Sequence, residues 1–388
     1  MKIPFNRPTR VANEFESMRA AYDSHKIAGD GPCGKEVEKI LQQQMQAEKV
    51  LLTTSCTHAL EIAGILLDLK PGDEVIVPSF TFVTTALAFL MAGAKPVFAD
   101  IRPDTLNIDE QQLPSIITPR TRAIVVVHYA GVGCEMDAIQ SICDRHRLVL
   151  IEDNAHGLFG SYRGRPLGSF GSLATQSFHE TKNITCGEGG ALIINDHAYI
   201  ERAEIIREKG TDRSRFFRGQ VDKYSWIDKG SSYVLSDILA AMLQAQFLVF
   251  EEIQSMRRSI WQRYRQQLRD WALQYRIRLP CVPDHCDQAY HMFYLLLPDG
   301  RSRDAFISYL EDHAISAVFH YLPLNLSRMG LKLNGDKQPC PVSENVSERL
   351  VRLPFYTNMT GEEQARVIQV ATGFNPAVHI QAKLFRQE

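Results

Sequence analysis

The 388-residue sequence predicts an α/β protein: a large domain with a mostly parallel sheet between helices, and a smaller α+β C-terminal domain. Two observations carry this. From residue 48 to 195, short β-branched apolar runs alternate with amphipathic stretches. Strands that are apolar on both sides belong in a parallel sheet covered on both faces. After about residue 196 the alternation stops and polar or helix-prone stretches take over.

The elements follow in order. Strands are expected at Val50–Thr53, Glu74–Val77, Pro96–Ala99, Ala123–Val127 and Leu148–Ile151. Helices are expected near 57–67, 81–92, 109–117 and 135–146, with Asp109 and Asp137 as caps or first-turn acids of the last two. Beyond them come a helix over 197–209, a polar aromatic loop over 211–232, and one helix-prone stretch from Leu235 to about Gln274. Strands near 291–297 and 315–319 fall in the second unit. The expected division is therefore 1–235 as the large domain with an N-terminal helical segment, 236–274 as a linking helix, and 275–388 as the small domain. The residues after Pro376 show little core pattern and read as a tail.

Composition narrows the function. With 45% apolar and 23% charged residues and a net charge of −2, the chain can build an ordinary core and carries no basic block. Nucleic-acid binding through phosphate neutralisation needs such a block, so no nucleic-acid partner is expected. The cluster Arg213, Arg215 and Arg218 is local and fits either one anionic ligand or a solvated loop. The apolar stretch 50–69 is interrupted by Glu61 and Asp68, and the stretch 79–94 is shorter than the roughly 20 residues that span a bilayer. No membrane association is expected. Eight cysteines without a small-scaffold pattern fit reduced thiols and a cytoplasmic location. Cys281 and Cys286, near His285 and His291, lack C-x2-C spacing and a second ligand pair, so no metal is expected.

Three loops of the large domain carry unusual residues. In Thr53-Thr-Ser-Cys-Thr57, a strand meets a helix, and small hydroxyl residues at a helix N-terminus suit a phosphate, although they are also ordinary caps. Glu152 and Asp153 end a buried strand, where an acid faces the ligand crevice and can hold a protonated ring nitrogen or cap a helix. In Ser177-Phe-His-Glu-Thr-Lys182-Asn, followed by Gly187-Glu-Gly-Gly190, a lysine lies between two buried strands. Desolvation lowers a lysine's pKa and makes it a nucleophile toward aldehydes. A phosphate grip, an acid for a ring nitrogen and an amine for an aldehyde together fit pyridoxal 5'-phosphate (PLP).

On these motifs the chain resembles the DegT/DnrJ/EryC1/StrS nucleotide-sugar aminotransferases, of PLP fold type I. The resemblance runs from about Ile3 to Phe374 and includes Thr53–Leu60, Pro71–Phe82, Glu152-Asp153, Ser177–Asn183, Gly187–Gly190 and Tyr321-Leu-Pro-Leu. Within the family, Phe178–Asn183, Arg207–Tyr224 and His128-Tyr-Ala-Gly are similar to the dTDP-4-amino-4,6-dideoxygalactose transaminases. Those act in making the fucosamine of enterobacterial common antigen.

The resemblance implies that Lys182 carries the cofactor and shuttles the proton, and that Asp153 pairs with the ring nitrogen. It also implies that Phe82 stacks on the ring, and that Cys56, Thr57 and Ser177 bind the phosphate. His128, Arg213, Arg218, His320 and Tyr321 are expected to contact substrate. Two positions depart from the family pattern. His156 stands where a glutamine usually lies near the ring hydroxyl, and Ser232 stands where many relatives place an asparagine that reaches the partner's phosphate. A homodimer with composite sites follows from that second contact. The implied substrates are L-glutamate and a nucleotide-linked keto sugar. The alternatives are transfer to C3 of a dTDP-3-keto-6-deoxyhexose or a non-catalytic PLP-binding relative; a sugar dehydratase would have histidine in place of Lys182.

Overall fold

The computed structural model describes residues 2–334, 338–376 and 378–379. Its large sheet has seven strands: β1 (Lys49–Thr53), β2 (Glu74–Pro78), β3 (Lys95–Ala99), β4 (Thr121–Val127), β5 (Val149–Asp153), β6 (Leu173–Ser177) and β7 (Gly190–Ile194). They lie in the order β1-β7-β6-β5-β4-β2-β3. The pairs from β6 to β3 are parallel, while β7 runs antiparallel to both of its neighbours, β1 and β6. The side chains of β2 alternate: Val75 and Val77 enter the core on one face, and Ile76 enters the core on the other. Helices Cys56–Leu66 and Thr84–Met91 pack on the first face and Met136–His146 on the second.

Because β7 begins where β1 and β6 end, Gly190 is in register with both Thr53 and Ser177. Asp153 pairs with Thr175 at the same edge of the sheet. The loops after β1, β5 and β6 are thereby gathered at one place.

A second core lies in the C-terminal part, where helix Phe250–Gln274, strand β8 (Tyr294–Leu296) antiparallel to β9 (Leu350–Arg352), and helix Gly361–Gly373 come together. Ile3 belongs to this core, and Phe355 N–H donates to the Phe5 carbonyl. The first residues thus cross to the C-terminal unit instead of staying with the large domain. The stretch expected as one long helix is two, Asp237–Phe247 and Phe250–Gln274. Ala240, Leu243 and Phe247 pack in the core of the N-terminal helices and β1, whereas Ile260, Trp261, Tyr264 and Leu268 pack in the C-terminal core. Propensity alone runs through residues 248–249; burial against two different cores breaks it.

Two further elements differ from expectation. The helix over 109–117 is only Leu113–Ile116, and 315–319 is extended chain with single bridges from Ile315 to Ile3 and from Val318 to Arg352. The expected tail after Pro376 lies outside the described residues, apart from 378 and 379. Among the described residues no helix is long and apolar enough to cross a membrane.

Candidate active site

A cleft of about 540 Å³ opens at this edge of the sheet. Cys56, Thr57, Asp153, Ser177 and Lys182 line it from the large domain, and His291, His320, Tyr321 and Arg352 from the C-terminal part. Ligands of open α/β sheets sit at such strand ends.

The first wall is a helix N-terminus. Ser55 caps the helix Cys56–Leu66, its Oγ accepting from His58 N–H at 3.1 Å. The N–H groups of Cys56 and Thr57 remain available to an anion. A Cβ on residue 190 would lie 2.4 Å from Cys56 N, so only glycine lets β7 start against this turn. The Cys56 thiol donates to Thr175 Oγ1 at 3.6 Å, and burial pushes its pKa up, so it stays protonated.

Asp153 ends β5. Its Oδ2 accepts from Thr85 Oγ1 at 2.7 Å and its Oδ1 from Ala155 N–H at 3.2 Å. Burial raises the carboxyl pKa, while these hydrogen bonds and the Lys182 charge oppose the rise. Facing it, the Lys182 amine forms no hydrogen bond or ion pair among the described residues, and burial lowers its pKa from 10.5 to about 8, against the pull of Cys56 and Asp153. An amine so placed is a nucleophile held ready.

Residues 8–371 match the DegT/DnrJ/EryC1/StrS aminotransferase family. The chain belongs to it. The aminotransferase TlmJ from Streptoalloteichus hindustanus is similar at 28% identity and a TM-score of 0.88, over 96% of this chain and 98% of that one. A DegT DnrJ EryC1 StrS aminotransferase from Brucella abortus is similar at 27% and 0.85, over 93% and 95%. Spr1654 from Streptococcus pneumoniae, described as a candidate sugar aminotransferase and solved in its PLP-form, is similar at 25% and 0.89, over 98% and 100%. The fold is that of the fold type I aminotransferases.

The cleft fits the cofactor of this aminotransferase class, PLP. The helix N-terminus with Thr57 and Ser177 suits its phosphate, Asp153 its ring nitrogen, and the unpaired Lys182 amine its aldehyde. Phe82 lines the cleft at 56% exposure, its ring 6.4 Å from the Tyr321 ring. His156 is also there, its Nδ1 buried without a partner and its ring stacked on His291. His320 Nδ1 lies 2.9 Å from the Tyr129 hydroxyl.

Four expected residues lie elsewhere. His128 is wholly buried and does not line the cleft. Its Nδ1 accepts from Cys134 N–H at 3.2 Å, which leaves Nε2 to donate to Glu152 at 2.8 Å. Both nitrogens are used inside the protein, so the expected substrate contact is corrected to a structural role. Arg213 and Arg218, on and just after the short helix Arg213–Phe217, pair with Glu208 at 3.1 Å and Glu204 at 2.8 Å. Ser232 is exposed, bridging Glu208 through its backbone. None of these three lines the cleft of its own chain.

Sequence reasoning missed Thr85, His291 and Arg352. Arg352 meets no carboxylate among the described residues; its Nε is buried without a partner and its guanidinium lies 4.6 Å over the Phe5 ring. No local signal marks it, because Leu350, Val351 and Leu353 around it read as an ordinary core strand.

Proposed function

We propose that this aminotransferase moves the amino group of L-glutamate to C4 of dTDP-4-keto-6-deoxyglucose, giving dTDP-4-amino-4,6-dideoxygalactose. The observation that carries the amino-transfer reading is the unpaired, desolvated Lys182 amine in one cleft with Asp153. The sugar reading is supported by the runs Phe178–Asn183 and Arg207–Tyr224, which are similar to transaminases acting on that substrate.

When bound, PLP supplies the electron sink for breaking the bond from the amino carbon to its proton. The chain's own residues do the rest. Lys182, as a free amine whose pKa burial lowers, would take the proton from the donor's amino-bearing carbon and deliver it to the cofactor's aldehyde carbon within that half-reaction, and would carry a proton the other way, to the sugar's C4, in the second. Asp153, fixed by Thr85, would be the carboxylate that holds the ring nitrogen protonated when PLP is bound. Arg352 provides a cation with no carboxylate against it among the described residues, and we assign it to the donor's carboxylate. His320 and Tyr321 form the wall on which the sugar is oriented.

The working unit in this reading is a cytoplasmic homodimer in which residues 211–232 of one chain reach the partner's cleft. Phe217 and Trp226, 70% and 81% exposed, leave that segment's apolar rings uncovered in the single chain and support the arrangement. Arg213, Arg218 and Ser232 are then cross-subunit contacts. The proposed domain plan keeps the divisions near 235 and 275, with Ile3 packed on the C-terminal unit and the linking stretch split between Phe247 and Phe250. The product would enter amino-sugar synthesis for a surface glycan such as enterobacterial common antigen or lipopolysaccharide.

Incubation with glutamate and dTDP-4-keto-6-deoxyglucose, followed by NMR of the product, tests the reading. An axial amino group at C4 supports it; amination only of a 3-keto isomer replaces it with the C3 reading.

A further inference from the structure

We infer that Asn183 and His291 are positioning residues that lock the His156 imidazole in one ring plane beside Lys182. The inference deepens the cofactor-site reading above and rests on it.

The geometry begins one residue after the lysine. Asn183 Nδ2 donates to the Ala289 carbonyl at 2.7 Å and to Gln254 Oε1 at 3.3 Å. Both are acceptors here, so the amide is oriented with Oδ1 toward His291, whose Nδ1 lies 2.9 Å away. Oδ1 can only accept, and His291 therefore holds its proton on Nδ1. The backbone of His291 is fixed as well: Arg257 donates to the carbonyls of Tyr290 at 2.9 Å and His291 at 2.6 Å, and to Thr357 Oγ1 at 3.1 Å. Thr9 Oγ1 closes the seam, 3.0 Å from the Asn183 carbonyl and 2.7 Å from Thr357 Oγ1. His291 is thus tied at its ring and at its backbone.

On this fixed ring lies His156, with centroids 4.3 Å apart and planes 18° apart. His156 Nδ1 is buried with no hydrogen-bond partner among the described residues. A buried N–H without an acceptor is rarer in proteins than a buried unpaired acceptor. The proton of a neutral His156 accordingly sits on Nε2. The charged groups facing the pair are Lys182, Arg257 and Arg352, with His320 6.3 Å from His156. Burial first, and these cations second, hold both imidazoles well below their ordinary pKa. A face-to-face stack of two neutral rings has no like-charge penalty, and each protonation would add one. His156 is then an uncharged hydrogen-bond donor with a fixed direction, where the family's glutamine offers an amide.

The test uses the PLP-loaded protein and its visible absorbance and circular dichroism across pH, compared among wild type, His291→Phe, His291→Ala and His156→Gln. Borohydride trapping at Lys182 is run on each. His291→Phe keeps a flat ring under His156 and is expected to retain the dichroic band. His291→Ala is expected to weaken that band at least twofold and to move the pH midpoint of the cofactor's absorbance by about one unit, a tenfold change in proton affinity. His156→Gln is expected to restore the wild-type midpoint in the His291→Ala background. If His291→Ala does not fold, Asn183→Leu, which removes the acceptor of the His291 Nδ1 proton together with the bonds to Ala289 and Gln254 but leaves the His291 ring in place, is expected to move the midpoint in the same direction. Superimposable titrations and dichroism in His291→Ala or Asn183→Leu, with the Lys182 adduct intact, overturn the inference alone. Loss of the Lys182 adduct in wild type overturns the cofactor-site reading instead.

Discussion

Thr85 Oγ1 donates to Asp153 Oδ2 at 2.7 Å, and the Thr81 hydroxyl stands 2.9 Å behind it. Thr85 has only one proton, so it must accept from Thr81, and the two hydroxyls form a directed chain ending on the carboxylate. Burial drives the Asp153 pKa up, and Thr85 is the largest opposing influence. A hydrogen bond to a charged group is worth about 1.5–3 kcal/mol, or roughly one to two pKa units. Thr85→Val is therefore expected to raise the acid limb of the kcat/KM profile by about one pH unit, and Thr85→Ser to restore it. A pH–rate profile with an unmoved acid limb in Thr85→Val would show that Asp153 is held ionised by other means.

Lys182 gives a second pH prediction. Its pKa of about 8, against the ordinary 10.5, makes the neutral amine abundant well below the range of surface lysines. The cofactor-free protein, treated with pyridoxal 5'-phosphate and then borohydride, is expected to label at residue 182 with a rate that rises through pH 8. Other lysines should lag until above pH 10. Peptide mapping of the adduct checks this. Lys182→Ala should abolish both the adduct and amino transfer.

Much of this site was legible because of where its residues fall along the chain. Asp153 and Ser177 stand at strand ends, Cys56 opens the helix after β1, and Lys182 lies in the loop between two buried strands, so each marks itself at the edge of a buried pattern. The same rule misplaced His128. It follows β4 directly, and Val127 is in register with Asp153, so it reaches the correct edge of the sheet. Which way the ring turns is decided by Glu152 and Cys134 N–H, partners that no local pattern reveals. Arg352, Thr85 and His291 were invisible for a related reason. They reach the cleft through packing between distant segments, and their neighbours in sequence look like plain core. The break between Phe247 and Phe250 is also tertiary, set by two cores and not by a helix-stopping residue.

Arg352 is expected to govern the donor more than the sugar. A partly buried guanidinium without a carboxylate partner gains most when an anion arrives, and burial lowers its pKa until one does. Losing a desolvated charge pair costs about 2–5 kcal/mol. Arg352→Ala should then raise KM for glutamate by at least tenfold, with KM for the keto sugar changed by less than twofold. Arg352→Lys should recover part of the loss, since it keeps the charge without the two-pronged geometry. Steady-state kinetics with each substrate varied in turn separates the two. Equal effects on both substrates would assign Arg352 to the architecture of the cleft.

His128 is expected to matter for stability and not for substrate. Glu152 is fully buried and accepts from His128 Nε2–H at 2.8 Å and from the N–H groups of Gly168, Phe170 and Gly171 at 2.8, 2.6 and 2.7 Å. These donors tie the end of β5 to the loop that leads into β6, and so hold the strand that carries Asp153. Removing one donor from a buried carboxylate costs about 1–3 kcal/mol. His128→Ala should lower the denaturant midpoint accordingly, and His128→Gln, which can still donate, should lower it less. At a temperature where both variants are folded, KM for the nucleotide sugar should match wild type within twofold. A large rise in that KM at unchanged stability would return His128 to the substrate's side of the sheet edge, against the two internal bonds its ring makes.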